Sequence, residues 1–235
     1  MARVGQKYNY YVNGWEALLQ QVMYYVSVGY EHYFMMTLPP KKADRFYKTD
    51  AKIIEKYQTN LGKDKKYYNK KNGYANFVYL RYKEVAFILM NTNDFKGFET
   101  KSRVEIDDIF YHFEDKNNPL VVPFGDFIQF KIVKEQQSLT VVLTRNTYRE
   151  FKYTCLEYID AHKYNDLIAY FNRLNGLPAW GGLNNQKLIL KKYLMSKIRL
   201  GKDERKRIYS KLRIKLKRTP VEVFADEQPY VIFLK

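Results

Sequence analysis

Two β-rich runs, 74–82 and 85–91, stand two residues apart, with only Lys83 and Glu84 between them. So short a connection joins antiparallel neighbours, because a parallel return needs a crossover of a dozen or more residues. That spacing removes a purely parallel, doubly wound sheet. A second pair points the same way. Residues 126–133 alternate, with Ile128, Phe130 and Ile132 opposite Gln129 and Lys131, and 139–144 follows after the turn-like stretch 134–137.

Helical periodicity flanks these runs. A helix is expected over 14–28: Asn13 and Glu16 have capping-box spacing, Trp15, Leu18, Leu19, Val22 and Val26 share a face, and Gly29 stops it. Residues 30–38 read as a buried strand closed by Pro39 and Pro40. Asp50 opens a second helix with Ile53, Ile54, Tyr57 and Leu61 at helical spacing, ended by Gly62. Residues 91–102 read as a loop and 103–113 as a weak third strand. Thr147 and Glu150 cap a helix running to His162, and 165–174 forms a shorter one before Gly176. The stretch 177–185, with Pro178, Gly181 and Gly182, reads as a loop and the best boundary, followed by a helix over 185–200.

The expected class is therefore α+β: an N-terminal mixed α/β part with antiparallel hairpins, then a mostly helical, basic C-terminal part ending in short strands. At 235 residues and 46% hydrophobic, the chain can bury one large or two small cores. The division expected is a core domain over 1–176 and a basic region over 177–235, with one continuous domain as the alternative.

Charge is concentrated. Residues 187–218 hold fourteen Lys/Arg against Asp203 and Glu204, a net of +12, and 63–71 hold five lysines against Asp64, a net of +4. Together they equal the +16 of the whole chain. An A/T-rich genome would explain the abundance of Lys and of the 23 Tyr, but not this clustering. Clustered, uncompensated cations attract a polyanion, so nucleic acid is the expected partner.

Within the larger segment, 211–217 alternates strictly between basic and apolar residues, the period of a strand with one cationic face. Lys211, Arg213, Lys215 and Lys217 would then stand roughly 6.6–6.8 Å apart, near the spacing of phosphates along an extended single strand. Arg218, Arg205, Lys206, Arg207, Lys192 and Arg199 extend the surface. The competing reading is a lysine-guarded sheet edge, which usually needs only one or two charges. In the shorter segment, Lys65, Lys66, Tyr67, Tyr68, Lys70 and Lys71 interleave cations with rings on which unpaired bases can stack. Packing of Tyr67 or Tyr68 on the preceding helix is the competing account there.

Catalytic signals are weaker. Glu105, Asp107, Asp108, Glu114 and Asp115, with His112 among them, could hold Mg²⁺ or Mn²⁺ for a nuclease or phosphoryl transfer. Asp126, Gln129 and Lys131 loosely resemble a carboxylate-plus-lysine arrangement. His32, His112 and His162 lack metal-ligand spacing, His32 reading as a hydrogen-bonded core residue. Cys155, on an apolar helix face, reads as core, and a lone cysteine excludes an intrachain disulfide or cysteine-based zinc site.

The longest apolar run, 85–90, is far short of the ~20 residues of a spanning helix, and no signal-peptide block is apparent. The expectation is an intracellular protein, cytoplasmic or nucleoid-associated, that binds DNA or RNA within a larger nucleoprotein complex, with no membrane and no cofactor. The alternatives are the metal-dependent nuclease using the 105–115 run, and a subunit whose basic face meets an acidic protein.

Overall fold

A computed structural model describes residues 7–93, 101–125, 127–216 and 220–230. The class is α+β, with two antiparallel sheets of four and three strands. The chain divides into two compact units, 1–120 with 221–235, and 121–220. The 177–185 stretch lies inside the second unit, and 221–230 belongs with the first.

In the first unit, β1 (His32–Thr37), β2 (Asn76–Tyr82), β3 (Val85–Asn91) and β4 (Tyr111–His112) are ordered β2-β3-β1-β4. The two-residue hairpin pairs Tyr82 with Val85, and Lys83 takes the positive φ of 49° such a turn asks of its first residue. Of the weak third strand over 103–113, only β4 pairs, antiparallel to β1. Helix α1 (Trp15–Ser27) packs Leu18, Leu19 and Val22 on the sheet, where Val78, Leu80, Phe87 and Leu89 are buried. Its N-cap is Gly14 with no side-chain cap, so the Asn13–Glu16 box does not form.

The alternate sheet residues Phe77, Tyr79 and Ile88 pack with Ile53, Ile54 and Tyr57 of α2 (Phe46–Lys56) and its end. That helix starts four residues before Asp50, after a 3₁₀ turn over Pro40–Arg45. Asp50 is therefore not a cap but a fully buried residue in mid-helix. Helix α3 (Lys63–Lys71) follows. Residues 10–13 run beside β2 and are held on their other side by 223–228. There Gln228 Oε1 accepts from the Tyr10 and Tyr11 amides at 3.0 and 2.8 Å, and its Nε2 donates to the Tyr11 carbonyl at 3.0 Å. The short strands expected at the end of the sequence reduce, among the described residues, to one bridge between Val12 and Phe224; 231–235 lie outside them.

The second unit carries β5 (Val121–Phe124), β6 (Ile128–Glu135) and β7 (Ser138–Leu143) in that order, all antiparallel. Helix α4 (Arg145–Asp160) is capped by Thr144, whose hydroxyl accepts from the Thr147 amide. Thr147 instead anchors β6, donating to the Phe127 carbonyl and accepting from the Gln129 amide. Helix α5 (Tyr164–Arg173) ends in a 3₁₀ turn over Leu174–Gly176. Helix α6 (Gly181–Lys197) begins inside the expected loop, because Gly182 sits against β7 and donates its amide to Thr140 Oγ1 at 2.8 Å. Gln186 pairs with both backbone groups of Leu143, closing that sheet edge. Helix α7 (Lys202–Lys211) completes the unit. Among the described residues, no helix is long and apolar enough to cross a membrane.

Candidate nucleic-acid interface

The net-positive C-terminal segment is a helix followed by an extended tail, not the expected sheet strand. Gly201 caps α7, Asp203 and Glu204 lie in its first turn and Lys211 in its last, which suits the helix dipole at both ends. Beyond it, 213–216 joins no sheet. Two asparagines do the work of a partner strand. Asn172 donates to the Lys211 carbonyl (3.1 Å) and accepts from the Arg213 amide (2.9 Å). Asn175 donates to the Arg213 carbonyl (3.1 Å) and accepts from the Lys215 amide (2.8 Å). Bonds at alternate residues are those of an extended chain, so a period-two sequence is satisfied without a sheet.

The clamp fixes which side chains face out. Leu212 is fully buried and Ile214 half-buried, while Lys211, Arg213 and Lys215 are exposed. Leu216 breaks the pattern and is exposed. Arg205, Lys206 and Arg207 are exposed on α7, as are Lys192 on α6 and Arg199 just after it. Arg205 donates to the Met195 carbonyl at 3.0 Å, so part of its guanidinium is committed. Among the described residues, no ion pair engages Lys192, Arg199, Lys206, Arg207, Lys211 or Arg213. Lys217 and Arg218 lie outside the described residues.

Helix α6 buries one face against the second unit's core. Its buried seam is Leu183, Lys187, Leu190 and Leu194, at helical spacing, whereas Ile189 is exposed. Lys187 is thus a cation in a core position, and its Nζ has no hydrogen-bond partner among the described residues. Burial, with help from nearby Lys215, pushes its pKa down to about 8. Lys191 is half-buried; it donates to the Leu212 carbonyl at 2.7 Å and lies over the Tyr209 ring, tying α6 to the end of α7.

The shorter basic segment folds as α3. Its inner side is fixed by Asn69, buried and donating to Asn76 Oδ1, while Asn76 donates to the Lys66 carbonyl. Lys66 is half-buried, and desolvation pushes its pKa down to about 8. Lys63, Lys65, Lys70, Lys71, Tyr67 and Tyr68 are exposed. Tertiary structure adds Arg103, whose guanidinium lies over the rings of Tyr68 (5.1 Å) and Tyr74 (4.6 Å). It is held there because Lys101 bridges to Tyr74 and its carbonyl accepts from the Ala75 amide.

The acidic run does not converge on a metal site. Lys56 Nζ pairs with both Asp107 and Asp108, and the Tyr57 hydroxyl donates to Asp108. The ammonium holds the Asp107 carboxyl below the usual carboxylate range. A cation already sits where Mg²⁺ or Mn²⁺ was expected, and Glu105 is exposed without joining this cluster. Among the described residues, no three metal-ligating side chains gather. Asp126 lies outside them. His32 is half-buried against the His112 ring at 5.2 Å rather than in the core, whereas Cys155 is fully buried.

Asp50, whose sequence position suggested only a helix start, accepts four side-chain hydrogen bonds. It accepts from Arg81 Nε and Nη2 (both 2.7 Å) and from the hydroxyls of Tyr79 (2.7 Å) and Tyr10 (3.0 Å). Arg81 also lies over the rings of Tyr11 and Phe46, beside a cavity of about 490 Å³. Asp50 neutralises Arg81 there, and Lys83 and Glu84 line the same cavity.

No protein-family model matches the chain, and no curated protein or solved structure does so either.

Proposed function

We propose that the protein binds nucleic acid through the phosphate backbone, without catalysing a reaction on it, as a subunit of a larger nucleoprotein assembly. The observation that carries this reading is the run of exposed cations from Arg205 to Lys215, in which Lys206, Arg207, Lys211 and Arg213 have no acid partner among the described residues. An uncompensated row of this kind makes a local positive potential. The asparagine clamp supports the reading further: a backbone held at alternate residues presents Arg213 and Lys215 roughly 6.6–6.8 Å apart, directly after Lys211 at the end of α7, without an ordering cost on binding.

The test is salt dependence. Five to eight phosphate contacts give a log–log slope of about −4.5 to −7 on duplex DNA, or about −3.5 to −5.5 on a single strand. Replacing Arg207, Lys211, Arg213 and Lys215 with Gln should weaken binding of all sequences alike and flatten the slope by about one unit per lost contact. The fold should survive, since exposed charges contribute little to stability. No binding at low salt, or a slope near zero, would remove the proposal.

A further inference from the structure

We infer that the α3 patch of the first unit takes single-stranded nucleic acid, with unpaired bases stacking on Tyr67 and Tyr68; this rests on the nucleic-acid reading above. Tyr67 and Tyr68 are 69% and 53% exposed. One exposed ring is ordinary on a protein surface; two adjacent rings set among cations are a different case. Helical spacing puts Lys63 and Lys71 four residues either side of Tyr67, and Lys70 three residues on. The second ring is already part of a stack, since the Arg103 guanidinium covers both Tyr68 and Tyr74. Such a plane accepts a further flat ring and adds a charge beside it.

The helix that carries the rings is also pinned. Asn69 and Asn76 pin the inner side of α3, and Asn72 donates to the Tyr68 carbonyl at 2.7 Å. A backbone held this way needs no reordering to receive a base. A duplex cannot use them, because its bases are stacked on one another and it presents phosphates and groove edges instead. A single strand exposes both the base faces for the tyrosines and the phosphates for the lysines.

The experiment is an anisotropy titration of the full chain with three probes of about twelve nucleotides, within the usual range of single-strand sites. They are oligothymidylate, an abasic strand with the same phosphates, and a duplex. The expected result is tightest binding to oligothymidylate. Tyr67→Ala with Tyr68→Ala should weaken that probe about five- to hundred-fold, with duplex affinity and salt slope unchanged. Tyr67→Phe should retain wild-type binding, because stacking needs the ring and not the hydroxyl. Equal affinity for the abasic strand or the duplex, or no effect of the alanine pair, overturns the single-strand inference while leaving phosphate binding intact. No binding of any probe overturns both. Both rings are exposed, so their truncation leaves the core untouched.

Discussion

A Cβ added at Gly182 would lie 2.7 Å from the Val141 carbonyl oxygen and 2.8 Å from Val142 Cγ1, closer than packed atoms come. At Gly181, one residue earlier, the nearest atom would be Thr140 Oγ1 at an ordinary 3.7 Å. Gly182→Ala should therefore destabilise the second unit by about 1–3 kcal/mol, the usual cost of overpacking. Gly181→Ala should be neutral or slightly stabilising, since it removes glycine's unfolded-state freedom. Denaturant midpoints of the two variants check this, and equal midpoints would show that α6 can retreat from β7. The side-chain amides are the other residue-scale device. Gln186, Gln228, Asn172 and Asn175 each present a donor and an acceptor to a backbone segment that lacks a strand neighbour there. Leaving those groups unpaired would cost about 1–3 kcal/mol each where they are buried.

Elements differ in how firmly they are attached. Strand β4 is two residues long and meets β1 through the register pairs His32–His112 and Tyr33–Tyr111. Burial holds His32 below its ordinary value of 6.5, His112 adds to the effect and Glu31 opposes it. A lowered native value means that the unfolded chain takes up the proton more readily. The His32 contribution is therefore complete above pH 6.5 and is lost as pH falls below it, through the native pKa. The urea midpoint should drop between about pH 7 and pH 5, and drop less in His32→Asn. Parallel curves for the two proteins would show that this histidine pair does not govern the edge. The Asp50–Arg81 pair makes the opposite kind of attachment. It joins α2 to β2 through a carboxylate that accepts four hydrogen bonds, and both side chains are almost wholly buried.

At the scale of the molecule, the two units are built from the chain differently. The second is one continuous stretch, 121–220, whereas the first needs the returning 221–230 segment to complete its hold on residues 10–13. A fragment spanning 121–220 should unfold cooperatively by itself. A fragment ending at 120 should be less stable than the same unit in the full chain by about 2–4 kcal/mol, because Gln228 and the Val12–Phe224 bridge are gone. Denaturant unfolding of the fragments against the intact protein checks both statements. Loss of cooperativity in the 121–220 fragment would mean that its core depends on the rest of the chain.

Local pattern and turn length determined the α+β class, the two hairpins and helices α1, α4 and α5, because strand and helix periods and two-residue turns are properties of neighbouring residues. The concentration of cations in 63–71 and 187–218 was equally plain, since charge can be counted before anything folds. Tertiary structure decided the rest. Alternation over 211–216 fits any partner that supplies bonds at every second residue, and α5 and the 3₁₀ turn after it supply them through asparagines about forty positions away. Gly181 and Gly182 look like a loop until β7 approaches closely enough to require the second of them. Lys187 looks like part of a cationic face, yet the seam of α6 puts it inside. Asp50 looks like a cap, and Lys56 stands where a metal would be inferred. Arg103 reaches Tyr68 and Tyr74 from a distant part of the chain. A backbone group or a charge must find a partner when it is buried, but which partner depends on what the whole fold brings within reach.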